Sequence, residues 1–140
     1  MNHNVKGMVL FFVVSLLCLS SVAQNKPEDA AKPSAEAWLA LVDSGQYANS
    51  WDEAAQTFKS AVTKDQWETA MHTVRDPLGK LGTRTLKAAN YTKTLPGAPD
   101  GEYVVMQYET SFANKGSAVE TIVPMLDKDE KWRVSGYFIK

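Results

Sequence analysis

From Ser34 to Val74 the apolar residues recur every three or four positions, and beyond Pro77 they recur every second position. Helical spacing giving way to strand alternation predicts a helical half followed by a sheet half. Ser34 stands where an N-cap belongs, Trp38, Leu41 and Val42 follow at helical spacing, and Gly45 supplies the stop. From Gln46 to Val62 the stripe Tyr47, Trp51, Ala54 or Ala55, Phe58 and Val62 predicts a second helix, with Asp52, Glu53 and Lys59 off the stripe. Thr63 with Gln66 forms a capping box ahead of Trp67, Met71 and Val74, and Asp76-Pro77 ends this third helix.

Gly79 and Gly82 punctuate the change of pattern, and a polar strand is expected over Thr83–Thr94. Leu95-Pro96-Gly97-Ala98-Pro99-Asp100-Gly101 is rich in turn residues and reads as a loop. Over Glu102–Phe112 alternation is clear: Val104, Met106, Tyr108 and Phe112 share one face, and Tyr103, Val105, Gln107, Glu109 and Ser111 share the other. Asn114-Lys115-Gly116 is a hairpin connection, Ala118–Leu126 returns, and Asp127–Glu130 turns the chain into Lys131–Lys140. Pro124 cannot donate to a ladder, so a bulge is expected there.

The predicted fold class is α+β, with N-terminal helices packed on one face of a four-stranded antiparallel meander. Strict alternation in the last strand puts Trp132, Val134, Gly136 and Phe138 on one face and Arg133, Ser135, Tyr137 and Ile139 on the other. Helices cover one face of such a sheet. A homodimer through Tyr103, Val105, Tyr137 and Ile139 is one account of the second apolar face; single exposed apolar residues on a solvated sheet are the other.

The N-terminal segment has a different character. Lys6, the apolar run Met8–Leu19 broken by Ser15, and Ser21-Val22-Ala23 before Gln24 have the layout of a secretory signal peptide over residues 1–23. The run is about a dozen residues, short of the roughly 20 that span a bilayer, and Leu17 stands before Cys18 where a lipobox has a small residue. The expected product is a secreted chain with no membrane attachment after cleavage. Residues 24–33, with Lys26-Pro27 and Lys32-Pro33, read as a flexible leader, and residues 34–140 as one domain.

Removing the signal removes Lys6 and Cys18, leaving fourteen basic against sixteen acidic residues and no cysteine. No basic stripe is available to a phosphate backbone, so nucleic acid is not an expected partner. Without disulfides, stability has to come from the core of a single domain.

Leu41-Val42-Asp43-Ser44-Gly45-Gln46-Tyr47 with Ser50-Trp51, the stretch Leu95–Tyr103, Ser111-Phe112-Ala113-Asn114-Lys115 and Trp132-Arg133-Val134-Ser135-Gly136-Tyr137 resemble the bacterial secreted family called domain of unknown function 4019. The resemblance spans nearly the whole predicted domain and implies a bacterial, periplasmic setting, with no activity to carry over. In element order the chain also resembles cystatin-like and nuclear-transport-factor-2-like domains, a fold that hosts isomerases, cyclases, carriers and assembly modules. Fold alone does not choose among those functions.

The residues supply no catalytic constellation. Gln107 and Glu109 fall opposite the apolar face, and the face of Glu120 depends on strand register. His72 sits at the margin of the third helix's stripe, where a general base and a half-exposed flank residue are both readable. One histidine and no cysteine do not make a zinc site, and Asp127-Lys128-Asp129-Glu130 lacks the spacing and glycine of a calcium loop. Gly79 and Gly82 lack the spacing of a phosphate loop, and no cofactor is expected. Arg84 and Arg133 are candidate anchors for an anion, by the forked geometry of the guanidinium, or ordinary ion-pair partners. Trp51, Trp67, Tyr108 and Phe112 are candidate walls of an apolar pocket, or simply core. Two functions fit: a non-catalytic binding or assembly module that engages a protein partner or its own copy, and a cofactor-independent isomerase- or cyclase-like enzyme or carrier holding a small apolar ligand between helices and sheet.

Overall fold

The computed structural model describes residues 25–140. The signal segment expected over residues 1–23 lies outside them. The first helix, α1 (Pro27–Asp43), begins seven residues before Ser34, so the leader expected over residues 24–33 is helical from Pro27 onward. Pro27 fits the first turn, where its missing N–H costs nothing, and Glu28 and Asp29 suit the positive end of the helix dipole. Ala31 and Ala35 are fully buried and extend the stripe of Trp38, Leu39 and Val42 toward the N-terminus, so a segment that reads as polar carries an apolar face of small residues. Gly45, at φ +75°, closes the helix in the left-handed conformation expected of it.

The helix expected over Gln46–Val62 is broken into α2 (Tyr47–Asp52) and α3 (Gln56–Ala61). Between them Ala55 is extended, and its N–H donates to the Val134 carbonyl at 2.8 Å. The small, fully buried Ala54 and Ala55 let the chain touch the edge of the sheet, and that tertiary bond replaces a helical one. Helix α4 (Lys64–Val74) carries the capping box as read: Gln66 N–H donates to Thr63 Oγ1 at 3.2 Å, and Thr63 N–H donates to Gln66 Oε1 at 3.0 Å. Trp67 and Met71 are buried but Val74 is half exposed, because a 3₁₀ turn (Asp76–Leu78) redirects the chain.

Strands β1 (Leu81–Thr92), β2 (Tyr103–Phe112), β3 (Lys115–Leu126) and β4 (Trp132–Ile139) form one antiparallel sheet in the order β1-β2-β3-β4. This is the expected α+β meander, and its element order agrees with the cystatin-like arrangement. One face meets the helices. Val104, Met106, Tyr108, Ile122 and Val134 pack there against Trp38, Leu39, Val42, Tyr47, Trp67 and Met71.

The irregularity expected at Pro124 is present, and it changes the faces of β4. Tyr137 pairs with Ile122 and Gly136 with Val123, but the next pair is Val134 with Pro124, so Ser135 is an extra residue. Its hydroxyl donates to the Val123 carbonyl at 2.8 Å. A bulge of one residue reverses the alternation. Trp132 and Val134 before it, and Tyr137 and Ile139 after it, therefore share the helix side, whereas Gly136 and Phe138 face away. The face assignment expected from strict alternation fails for this physical reason.

The outward face has a small core of its own. Ala55, Tyr103, Val123 and Met125 cluster with Leu95, Ala98 and Val105, and the Tyr103 hydroxyl donates to the Pro99 carbonyl at 2.6 Å. The β1–β2 loop thus folds over one end of this face.

Candidate functional site

Two features stand out from the packing: a charged network inside the helix-covered face, and a groove on the other. Glu120, in the middle of β3, has 0% of its surface exposed. Its Oε1 accepts from Arg84 Nε at 2.7 Å and Thr110 Oγ1 at 2.6 Å. Its Oε2 accepts from Arg84 Nη2 at 3.1 Å and from the Tyr137 hydroxyl. Arg84 also forks onto Asp43 at the end of α1, at 2.7 and 2.9 Å. Asp43 in turn receives Arg75 Nη2 at 3.0 Å, and the Arg75 guanidinium lies 4.2 Å from the centre of the Phe112 ring.

Two carboxylates and two guanidiniums are thereby matched in charge, and all four strands and the ends of α1 and α4 are tied together. Burial alone would lower the Arg84 pKa, but its hydrogen bonds to Asp43 and Glu120 carry it above the ordinary value. The Tyr137 hydroxyl is pushed well above the ordinary 10, by burial first and then by the Glu120 charge, so it remains a donor. With Glu120 filled by four donors and sealed from solvent, the network is suited to holding elements together rather than to moving a proton to a substrate.

An open groove of about 1500 Å³ occupies the outward face. Its floor is Tyr103, Val105, Val123, Met125 and Phe138, and its walls are the segment from Asp52 to Ala61, the loop over 95–101 and the β3–β4 turn. Phe138 is 61% exposed. Its ring lies against Gly136, where an added Cβ would stand 3.5 Å from it, an ordinary van der Waals contact.

A family model described as "Protein of unknown function (DUF4019)" matches residues 34–137. The chain belongs to the DUF4019 family. No curated protein and no solved structure matches it.

Within this DUF4019 domain the predicted site residues scatter. Trp51, Trp67, Tyr108 and Phe112 all lie in the helix-side packing: Trp67 Nε1 donates to Ser50 Oγ at 2.9 Å, Trp51 Nε1 donates to the Val62 carbonyl at 2.8 Å, and none of the four lines the groove. The Tyr108 hydroxyl is buried with no hydrogen-bond partner among the described residues. Arg84 is occupied by two carboxylates. Arg133 forks onto Asp129 at 2.8 Å and reaches Asp127 at 3.0 Å, so both anion-anchor candidates already hold anions of their own chain.

Of the interface candidates, Val105 lies on the groove floor and Tyr103 beside it beneath its own loop. Tyr137 and Ile139 are on the opposite face, Tyr137 edge-on to Trp38 at 5.2 Å, so the four do not form one surface. His72 is exposed on α4 and shares Asp76 with Tyr47: His72 Nδ1 lies 2.7 Å from Oδ2, and the Tyr47 hydroxyl donates to Oδ1 at 2.6 Å. Those bonds, Tyr47's first, lower the Asp76 pKa, while burial and then Asp76 push Tyr47 up to about 12. Among the described residues no group of three His, Cys, Asp or Glu is placed to hold a metal ion.

Asp43, Arg75 and Thr110 had no sequence signal of their own, since their partners lie 10 to 41 residues away along the chain. For Glu120 and Phe138 the sequence does carry a signal. Glu120 shares parity with Ala118 and Ile122, both buried, and Phe138 becomes outward-facing once the Pro124 irregularity is carried through β4.

Proposed function

We propose that this DUF4019 protein is a secreted, non-catalytic binding module that recognises its partner with the outward face of its sheet, opposite α1 and α4. The groove carries the reading: a concave apolar floor with an exposed aromatic ring, framed by a helix, a loop and a turn, is the form of a binding surface. The interior network supports the non-catalytic part, because Glu120 and Asp43 are engaged by arginines and Glu120 has no surface at which to meet a substrate. The extracytoplasmic setting rests on the composition of residues 1–23, and its being a bacterial periplasm on what the family resemblance implies. No helix among the described residues is long and apolar enough to cross a membrane. A small-ligand carrier or an isomerase-like enzyme is the second reading, and the unpartnered Tyr108 hydroxyl between helices and sheet favours it.

Native mass spectrometry of the processed chain, purified gently from its own host, tests both. A complex with another protein that is lost on Phe138→Asp is the expected result. A small-molecule adduct that survives Phe138→Asp and disappears on Tyr108→Ala would move the site into the helix–sheet interior. A bare monomer starting at Met1 would contradict both the export and the binding role.

A further inference from the structure

The size and charge of the groove identify the kind of partner. Resting on the reading that the outward face is the recognition surface, we infer that its occupant is an extended peptide segment in which apolar and basic residues are interspersed. At about 1500 Å³ and open along the sheet, the groove exceeds the roughly 300–1000 Å³ of small-molecule pockets, which enclose most of their ligand. An extended segment suits such a site, because its successive side chains point to opposite sides and one set can meet the floor while the other meets the rim.

Charge sets the chemistry of that segment. Asp52, Glu53, Asp100, Asp127 and Asp129 line the groove against Lys59, Lys128 and Arg133. Asp52 is paired with Lys64 at 2.7 Å, and Arg133 serves Asp127 and Asp129 together, with Lys128 on the same turn balancing the remaining charge. Glu53 on the helical wall and Asp100 on the loop wall have no ion-pair partner among the described residues. Lys59 is drawn to the Asp52 carbonyl at 3.2 Å and lies 5.8 Å from the centre of the Trp51 ring. The helical wall and the loop wall thus each present a carboxylate without an ion-pair partner, and the apolar floor lies between them. A second copy of this chain brings the same acidic rim to the contact, and like charges set against each other disfavour it.

The test uses three acetylated, amidated octapeptides alternating leucine with lysine, glutamine or glutamate, titrated into the isotope-labelled processed chain and followed by backbone amide shifts. The leucine–lysine peptide is expected to shift Gly97, Val105, Gly136 and Phe138, to weaken as salt rises, and to bind at least about tenfold more tightly than the leucine–glutamate peptide. Glu53→Lys combined with Asp100→Lys should narrow or reverse that ratio with an unchanged circular dichroism spectrum, since both residues are at the rim. Equal binding of all three peptides in the groove would overturn the cationic assignment and leave the recognition face standing. No groove shifts with any of the three, or shifts confined to α1 and α4, would overturn both.

Discussion

Replacing Arg84 with Met removes the one group that bridges the buried Glu120 carboxylate and the partly buried Asp43 carboxylate while leaving an apolar stem of similar length. In the parent, Arg84 makes four hydrogen bonds of 2.7 to 3.1 Å to these carboxylates. Asp43 retains Arg75, but Glu120 is left fully buried with only the hydroxyls of Thr110 and Tyr137. Removing one partner of a buried pair costs about 3–5 kcal/mol, because a charge remains without compensation. Against a total stability of about 5–15 kcal/mol for a domain, that is a large share. It corresponds to a fall in Tm of at least ~10 °C. Urea unfolding followed by circular dichroism measures it. Adding Glu120→Gln to Arg84→Met removes the stranded charge, so the double variant should be more stable than Arg84→Met alone, with a coupling of about 0.5–3 kcal/mol. An Arg84→Met variant within about 1 kcal/mol of the parent, or a double variant less stable than the single, would refute the account of the network.

Ser50→Ala should destabilise by about 1–3 kcal/mol, because Trp67 Nε1 then loses its acceptor in the interior; fluorescence-detected unfolding reads it, and a loss under ~0.5 kcal/mol would count against that bond. The acid limb of stability should depend on Asp129, whose carboxyl is lowered from 3.8 to about 2, first by its hydrogen bond from Arg133. The folded value is the lower one, so the unfolded chain binds more protons between these limits: the stabilisation is present above pH 3.8 and lost as pH falls through about 2. Asp129→Asn should flatten stability against pH over that interval, and a profile parallel to the parent's would refute the assignment.

Much of the fold is legible where local signals and tertiary packing agree. Thr63 and Gln66 form their capping box, Val104, Met106 and Tyr108 turn inward, and Pro124 coincides with a register shift. Departures occur where a distant group decides. The break at Ala55 follows from its bond to Val134, 79 residues along the chain, and the early start of α1 from the burial of Ala31 and Ala35 in a segment of mostly polar residues. One extra residue at Ser135 undid the expected interface, because it carried Tyr137 and Ile139 to the helix side and left Phe138 outside. The candidate pocket residues were recognisable as large aromatic side chains, but a core and a pocket draw on the same residue types, and here Trp67, Tyr108 and Phe112 are core. The groove is assembled from three separate segments, and no local pattern announces it.

The central claim is that recognition takes place on the outward face, opposite α1 and α4, and site-specific photo-crosslinking in the native host tests it most directly. A photoreactive phenylalanine analogue at position 138, on the groove floor, is compared with the same probe at position 69, exposed on α4. The account predicts a discrete crosslinked product from position 138 and none from position 69. A product from position 69 with nothing captured at position 138 would contradict it.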